Sequence, residues 1–341
     1  MTPGHTNLPS SGHAHFDIYG YRVRVECANA SVLSGLADDF AFFQSTSANA
    51  NMVVTLTEAE PDYRLWAKAK PRVYTPRNVA YWNDGKTIID YSGRALGVYD
   101  VHAGFFHLSS LHPDLLYEAA FLFLLSRVGE ELDAIGLHRI HALGVTAGGP
   151  AALVLLPMGG GKSTLGAALL QHAEIQLLSD DSPLIERRGG VHAFPLRIGL
   201  LPGSEGSIPP DQLRQIQRME FGPKLVVNYK YFAGRVCASA KAGIIFIGER
   251  GLDSDCTLRP ATRLAAWKAL LANCVVGLGL FQGMEFLFGR SAKEMASGIP
   301  ILFSRLRACR RLLRGSKVYH LRLGRDFERN ASVVIEALRD L

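Results

Sequence analysis

The stretch from His141 to Asp181 constrains the fold of this chain more than any other. An apolar run, Ala151-Ala152-Leu153-Val154-Leu155-Leu156, leads into Pro157-Met158-Gly159-Gly160-Gly161-Lys162-Ser163-Thr164, and a helical pattern runs on from Leu165 to His172. A second apolar run, Ile175-Gln176-Leu177-Leu178, ends in Ser179 and the pair Asp180-Asp181. Strand, glycine loop, helix, strand and carboxylates, in that order, are what a nucleotide-phosphate site needs. The order predicts an α/β fold for the chain around it.

Each residue of the loop has a chemical reason to be there. Gly159, Gly160 and Gly161 let successive backbone N–H groups turn toward a phosphate chain without side-chain interference. Lys162 brings a point charge for the terminal phosphates and Ser163 a hydroxyl for Mg²⁺, with Thr164 continuing the turn into a helix whose N-terminal dipole favours anions. These residues predict ATP and Mg²⁺ as the ligands. One departure stands out: the P-loop pattern expects glycine five residues before Gly161, and Leu156 is there, with Pro157 after it. The start of the loop must therefore differ. Beyond the helix, two adjacent carboxylates at a strand end can divide roles, one holding metal and the other accepting a proton from an attacking hydroxyl. His141, upstream of the loop, gains interest only from its place ahead of the loop and the carboxylates.

Composition sets wider bounds. The chain has 341 residues, enough for two domains, and 48% of them are hydrophobic. The +6 formal charge suits an anionic ligand, but no nucleic-acid reader motif accompanies it, so nucleic acid is not expected as a partner. Five scattered cysteines (Cys27, Cys237, Cys256, Cys274, Cys309) with no CxxC pair fit reduced thiols. No secretory pattern opens the chain, and the most apolar stretches, near 115–125 and 270–288, are broken by Glu118 or by Asn273, Gly277, Gly279 and Gln282. A cytoplasmic protein without a membrane span is the expectation. The oligomeric state is left open, a homo-oligomer included.

Taken in order, residues 1–15 read as a disordered tail, and alternation from Phe16 to Val25 reads as strands with a turn. Ser31 to Phe43 has helical spacing with Ser31 as N-cap, Met52–Leu56 alternates again, and Tyr74–Tyr99 holds short strands around Asn83-Asp84-Gly85 and Ser92-Gly93. His102, His107 and His112, five apart, share no face and read as ordinary histidines. Residues 16–105 thus form a small mixed α/β domain, with its boundary in 100–113 and a second domain over 106–341. Asp114–Ile135 is a helix stopped by Gly136 and expected to pack on the sheet after it. Later, Val191–Phe194 reads as a strand, Pro202–Pro210 as a loop, Asp211–Met219 as a short helix, and Lys224–Val227 and Ala242–Gly248 as strands, the last buried. Thr262–Phe288 and Met295–Leu313 are helical, Val318–Leu323 is a last strand, and Asn330–Leu341 a closing helix. The basic run Arg305, Arg307, Arg310, Arg311, Arg314, Lys317 is either a solvated helix face or a surface for an acidic peptide or phosphate.

His141, the Pro157–Ser163 loop and Leu178-Ser179-Asp180-Asp181 together resemble the HPr kinase/phosphorylase family, in which a histidine precedes a strand, a Gly-x-x-Gly-x-Gly-Lys-Ser loop, a helix and a short strand ending in paired aspartates. The resemblance covers about 141–200 well, up to about 330 in layout, and none of the N-terminal domain. It implies a phosphoenolpyruvate carboxykinase-like P-loop kinase core and Mg²⁺/ATP-dependent phosphorylation of a serine hydroxyl in a peptide or protein. By that resemblance Asp180 is the base, Asp181 binds metal and His141 sits near the transferred phosphate, the two aspartates being exchangeable. The family's signature after the aspartates, with its catalytic arginine, is not recognisable, and Arg197 is the substitute candidate. The chain looks most similar to the divergent relatives in bacterial peptide-modification gene sets, some of which phosphorylate a serine of a lasso-peptide precursor. Two other readings stay open: a small-molecule kinase on the same fold, and a catalytically silent nucleotide-binding regulator.

Overall fold

The computed structural model describes residues 12–157, 159–200, 208–218, 222–275 and 298–341. Contacts divide these into two compact units. Residues up to 128, with 216–218 and 222–223, form one, and the remaining described residues form the other.

The first unit is built on an eight-stranded sheet. Its strands are β1 (Gly12–Ile18), β2 (Tyr21–Cys27), β3 (Met52–Glu58), β4 (Lys70–Tyr74), β5 (Val79–Asn83), β6 (Lys86–Asp90), β7 (Ala95–Asp100) and β8 (Phe105–Ser110), in the order β1-β2-β3-β8-β7-β6-β5-β4. β3 runs parallel to both β2 and β8, and every other neighbour is antiparallel. Period-two alternation turns Val23, Val25, Val54, Leu56, Phe106 and Leu108 into the core. Helix α1 (Ala30–Asp39) is capped by Asn29, whose side chain accepts from the N–H groups of Ser31 and Val32, both at 3.1 Å. The expected cap, Ser31, already lies inside the helix. The expected tail also ends early. Residues 1–11 lie outside the described residues, but 12–15 are strand, paired along their length with β2 although His13 and His15 carry no apolar signal.

Helix α2 (Pro113–Ala134) corrects a second expectation. Its first half packs on the N-terminal sheet: Phe123 stacks on Phe106 with centroids 3.6 Å apart, Phe121 meets Phe40, and the Tyr117 hydroxyl donates to buried Asp39. The helix is apolar nearly all round, so no stripe in its sequence points to one sheet.

The second unit places helices on both faces of a mixed sheet. Its strands are β9 (Leu137–Arg139), β10 (Leu143–Thr146), β11 (Ala151–Leu155), β12 (Gln176–Ser179), β13 (Leu184–Glu186), β14 (Gly190–His192), β18 (Ser239–Arg250), β19 (Thr257–Pro260) and β20 (Lys317–Leu323). A separate small sheet, in the order β15-β17-β16, is made by β15 (Ile198–Leu200), β16 (Leu213–Arg218) and β17 (Gly222–Val227), of which 216–218 and 222–223 are counted in the first unit. The segment expected as a helix over Asp211–Met219 is thus a 3₁₀ turn, Pro210–Gln212, followed by β16, with Met219 outside the described residues. Leu213 and Ile216 carry a weak helical spacing, and pairing with β17 overrides it.

The long strand β18 is central, parallel to β11 on one side and to β20 on the other. Alternation in β11 and β18 sorts the two cores. Ala152, Val154, Ile244 and Phe246 face helices α3 (Lys162–Leu169) and α7 (Phe327–Arg339), while Leu153, Leu155 and Ile245 face α5 (Arg263–Leu270) and α6 (Gly298–Arg314). A short α4 (Tyr229–Phe232) comes after β17. Helix α5 is capped by the Thr262 hydroxyl and ends in a π turn, Leu271–Val275; the expected helix beyond it, 276–288, and residues 295–297 before α6 lie outside the described residues. No described helix is long and apolar enough to cross a membrane.

Behind this sheet sits a buried polar network. Asp133 accepts from Arg305 Nε at 3.1 Å and from its terminal nitrogen, and lies 2.7 Å from His138 Nδ1. His138 Nε2 is 2.8 Å from Ser304 Oγ, and Arg305 also donates to the carbonyl of Cys274 in the π turn. Burial alone would raise the Asp133 pKa, but His138 and Arg305 hold it below the ordinary carboxylate range. Arg305 is therefore buried, a correction to its expected place in a basic run; Arg307, Arg310, Arg311, Arg314 and Lys317 remain exposed. Asp133→Ala strands a buried guanidinium and should cost about 3–5 kcal/mol. Urea unfolding of the variant measures this, and a loss under about 1 kcal/mol would show the network to be dispensable.

Candidate active site

β11 and β18 run parallel, so the loop after β11 opens at the carboxyl ends of the strands, the usual place for ligands in such sheets. The loop geometry uses each glycine differently. Gly159 (φ +74°) and Gly161 (φ +97°) occupy the left-handed region, whereas a Cβ on Gly160 would fall 2.9 Å from the Pro157 carbonyl. The Gly160 N–H closes a turn on that same carbonyl at 3.0 Å, so this amide is engaged within the loop. Gly161 stands immediately before Lys162, the first residue of α3, and Thr164 is buried in its first turn.

Leu156 has a physical explanation. It is buried, directly across from Gly248 of β18, where an added Cβ would meet Leu156 Cδ2 at 2.6 Å. The bulk missing from one strand accommodates the bulk added to the other. Nothing in the sequence links the two positions, because the register of β11 on β18 is a tertiary fact.

Lys162 folds back into the loop. Its Nζ donates to the Leu156 carbonyl at 2.8 Å and the Pro157 carbonyl at 3.5 Å, and lies 2.7 Å from His141 Nε2. An ammonium has only protons to give, so Nε2 accepts and the ring proton sits on Nδ1, 3.1 Å from Asp181 Oδ1. Lys162 Nζ is itself 3.9 Å from that oxygen. His141 is fixed by its backbone N–H, which donates to Asn273 in the π turn at 3.0 Å, and Ala142 N–H donates to the Asp181 carbonyl at 3.1 Å. Burial lowers the Lys162 pKa, against the pull of the two aspartates.

The aspartates stand in different surroundings. Asp180 is buried, and its Oδ2 accepts from Ser163 Oγ at 2.8 Å. Its Oδ1 is buried with no hydrogen-bond partner among the described residues. Burial, with the neighbouring Asp181 charge, pushes its carboxyl up to about 6. The Asp181 side chain is 56% exposed. The protein packed around it acts upward on its pKa, but His141 and Lys162 outweigh that and hold it below the ordinary value.

The expected residues thus meet in one place: Ser163 with Asp180, and Asp181 with His141 and Lys162, on the loop of Gly159–Gly161. Arg197 stands immediately before β15, half-buried. Two cations here were not found from the sequence. Arg250, exposed at the end of β18, brings a guanidinium nitrogen 3.6 Å from where a Gly161 Cβ would be. Lys224 of β17 acts electrostatically on both aspartates. Neither sits in a motif. For Arg250 the one available signal was its place at the end of a buried apolar strand.

The residues fit a magnesium ion bound with phosphates: a hydroxyl, a half-open carboxylate and an orphaned carboxylate oxygen are hard oxygen donors. Among the described residues no group of three or more His, Cys, Asp or Glu forms a cage for a metal, and Mg²⁺ on a nucleotide needs only one or two carboxylates beside the phosphates.

No family model matches the chain. No curated protein matches it. Among solved structures it is similar to the Hpr(Ser) kinase/phosphatase from Coxiella burnetii, with 14% identity and a TM-score of 0.27 over 59% of this chain and 93% of that one.

Proposed function

We propose that the chain is an ATP- and Mg²⁺-dependent kinase that phosphorylates a serine hydroxyl of a peptide or protein. The observation that carries this reading is the contact chain Ser163–Asp180 and Asp181–His141–Lys162 at the start of α3. Positioning and charge neutralisation dominate phosphoryl transfer, and these residues supply both.

In the proposed reaction the acceptor oxygen attacks the γ-phosphorus of ATP. A new P–O bond forms, the bond to the bridging oxygen breaks with its electrons passing to the β-phosphate of ADP, and the hydroxyl proton goes to Asp180. A carboxyl pushed up to about 6 by burial is ionised at neutral pH yet still basic enough to take that proton. Lys162, released from the Leu156 carbonyl, meets the terminal phosphates, while the amides of Gly159, Gly161 and the first turn of α3 meet the chain behind them. Ser163 and Asp181 would hold Mg²⁺, which when bound neutralises phosphate charge. His141 holds Asp181 and Lys162 in register. Arg197 is assigned the family's arginine role on resemblance alone, as is the peptide nature of the acceptor.

One observation favours exchanging the aspartates: Asp180 is the buried one and already bonds the Ser163 hydroxyl, while Asp181 is open to an acceptor. The pH profiles of the two Asn variants separate the assignments, since only loss of the base removes the acid limb.

Incubation with Mg²⁺/ATP and serine-bearing peptides, read by mass spectrometry, tests the function. Phosphorylated serine is the expected product. Transfer confined to small metabolites would replace this reading with a metabolite kinase. ATP binding without transfer to any acceptor would leave a nucleotide-binding regulator.

A further inference from the structure

The small sheet β15-β17-β16 is tied to the aspartates by an independent set of contacts. Phe194 N–H donates to the Leu178 carbonyl at 2.8 Å, and the Ser179 hydroxyl donates to the Phe194 carbonyl at 2.7 Å. The residues just before Asp180 are thereby zipped to the segment that becomes β15. Ile198 and Leu200 of β15 share a core with Leu165 and Leu169 of α3, the helix that carries Ser163. β15 therefore packs against the helix that carries Ser163, and β17 pairs with it through Ile198–Val227, Gly199–Val226 and Leu200–Leu225.

Lys224 lies two residues from Val226, on the same sheet face as Gly199 and diagonal to it. A Cβ on Gly199 would fall 2.0 Å from Lys224 Nζ, 2.1 Å from Cε and 3.0 Å from Cδ. The ammonium end of Lys224 thus lies across bare backbone, in space that any other residue at 199 would occupy.

We propose that Lys224 is a catalytic cation of this site, laid through the gap at Gly199 to contact the phosphoryl group as it passes to the acceptor, with Gly199 as its positioning residue. The inference rests on the kinase reading. Lys162 enters from the loop side, among the Leu156 and Pro157 carbonyls, and serves the nucleotide. Lys224 enters from the β15–β17 side and acts electrostatically on both aspartates, where the acceptor must arrive. Two carboxylates and a transferring phosphoryl group crowd negative charge there, and a preorganised ammonium is the remedy. No bond is made or broken by Lys224; it donates hydrogen bonds and keeps its proton.

The test is a double-mutant cycle on the full chain. Lys224→Met keeps the apolar stem and removes the charge; Gly199→Ala keeps the charge and displaces it, cheaply, because the atoms in the way are the far end of a flexible side chain. The expected result for Lys224→Met is a fall in kcat of about 10²-fold, with KM for ATP and the affinity for ADP within about threefold of wild type. Gly199→Ala should reproduce at least a tenfold loss in kcat (about 1.4 kcal/mol), and the double variant should be no slower than Lys224→Met alone. A purely structural role would move the melting temperature and ADP affinity instead. Should Gly199→Ala fail to fold, Lys224→Met with Lys224→Arg decides, Arg restoring part of the rate only if charge matters. Wild-type transfer with unchanged kcat in Lys224→Met, or losses that multiply in the double variant, overturns this inference and leaves the kinase reading standing. A wild-type chain that transfers phosphate to no acceptor overturns both.

Discussion

Lys162→Ala should lower phosphoryl transfer by about 10³-fold or more while leaving the fold intact. The two halves of that expectation come from the same side chain. Lys162 is a buried ammonium held by two carbonyls and by His141, and burial lowers its pKa. Its burial therefore works against stability, and its hydrogen bonds offset part of that cost. Removing it leaves the Leu156 carbonyl and His141 Nε2, both acceptors, to be met by water and leaves the cores on either side of the sheet untouched. The loss should fall on turnover, because the terminal phosphates then develop charge without the ammonium carried by the first turn of α3. Single-turnover transfer, ATP affinity and thermal unfolding measured together check this. A variant within tenfold of wild type would remove Lys162 from the chemistry.

Asp180→Asn should lose activity and gain stability. Burial and the Asp181 charge push the Asp180 carboxyl from 3.8 up to about 6 in the fold, which disfavours the folded carboxylate by roughly 1–3 kcal/mol. The folded pKa is raised, so the contribution of Asp180 is favourable below 3.8 and lost as pH rises through about 6. The Asn variant should therefore be more stable than wild type at pH 8, and the difference should vanish near pH 4. Urea titrations at the two pH values measure it. If Asp180 is the base, as proposed, wild-type transfer should fall as pH drops through about 6, the base being then protonated. Unchanged transfer by Asp180→Asn would overturn its role as base and favour Asp181. A gain in stability accompanied by loss of function is what a site held in an unfavourable charge state predicts.

How much of this was legible beforehand depended on whether a feature was local. β11, the glycine loop, α3, β12 and the aspartates succeed one another along the chain, and each is recognisable from its own residues: an unbroken apolar run, a Gly-Lys-Ser-Thr turn, a carboxylate pair at a strand end. That the loop and the carboxylate pair would lie close together followed from that spacing, whereas the hydrogen bond from Ser163 to Asp180 is a finding of the structure. Where local signals misled, tertiary partners had intervened. Residues 12–15 looked like a tail and are strand, because β2 pairs with them in full register. Asp211–Met219 looked helical and is largely strand, because β17 lies beside it. Arg305 looked like one of a row of surface cations and is buried against Asp133.

By itself, then, the sequence determined an α/β core with a loop fit for phosphate, and it named His141, Lys162, Ser163, Asp180 and Asp181 as the residues to watch. Only the tertiary structure decided how Leu156 fits where glycine was expected, since Gly248 opposite it lies on a strand nearly a hundred residues away. It alone placed Lys224 over Gly199 and tied the π turn that holds His141 to the Asp133–Arg305 pair. The physical reason is the same in each case. A gap left by glycine, or a charge matched in the interior, has no period along the chain and becomes visible only when distant strands and helices are brought within a few ångströms of one another.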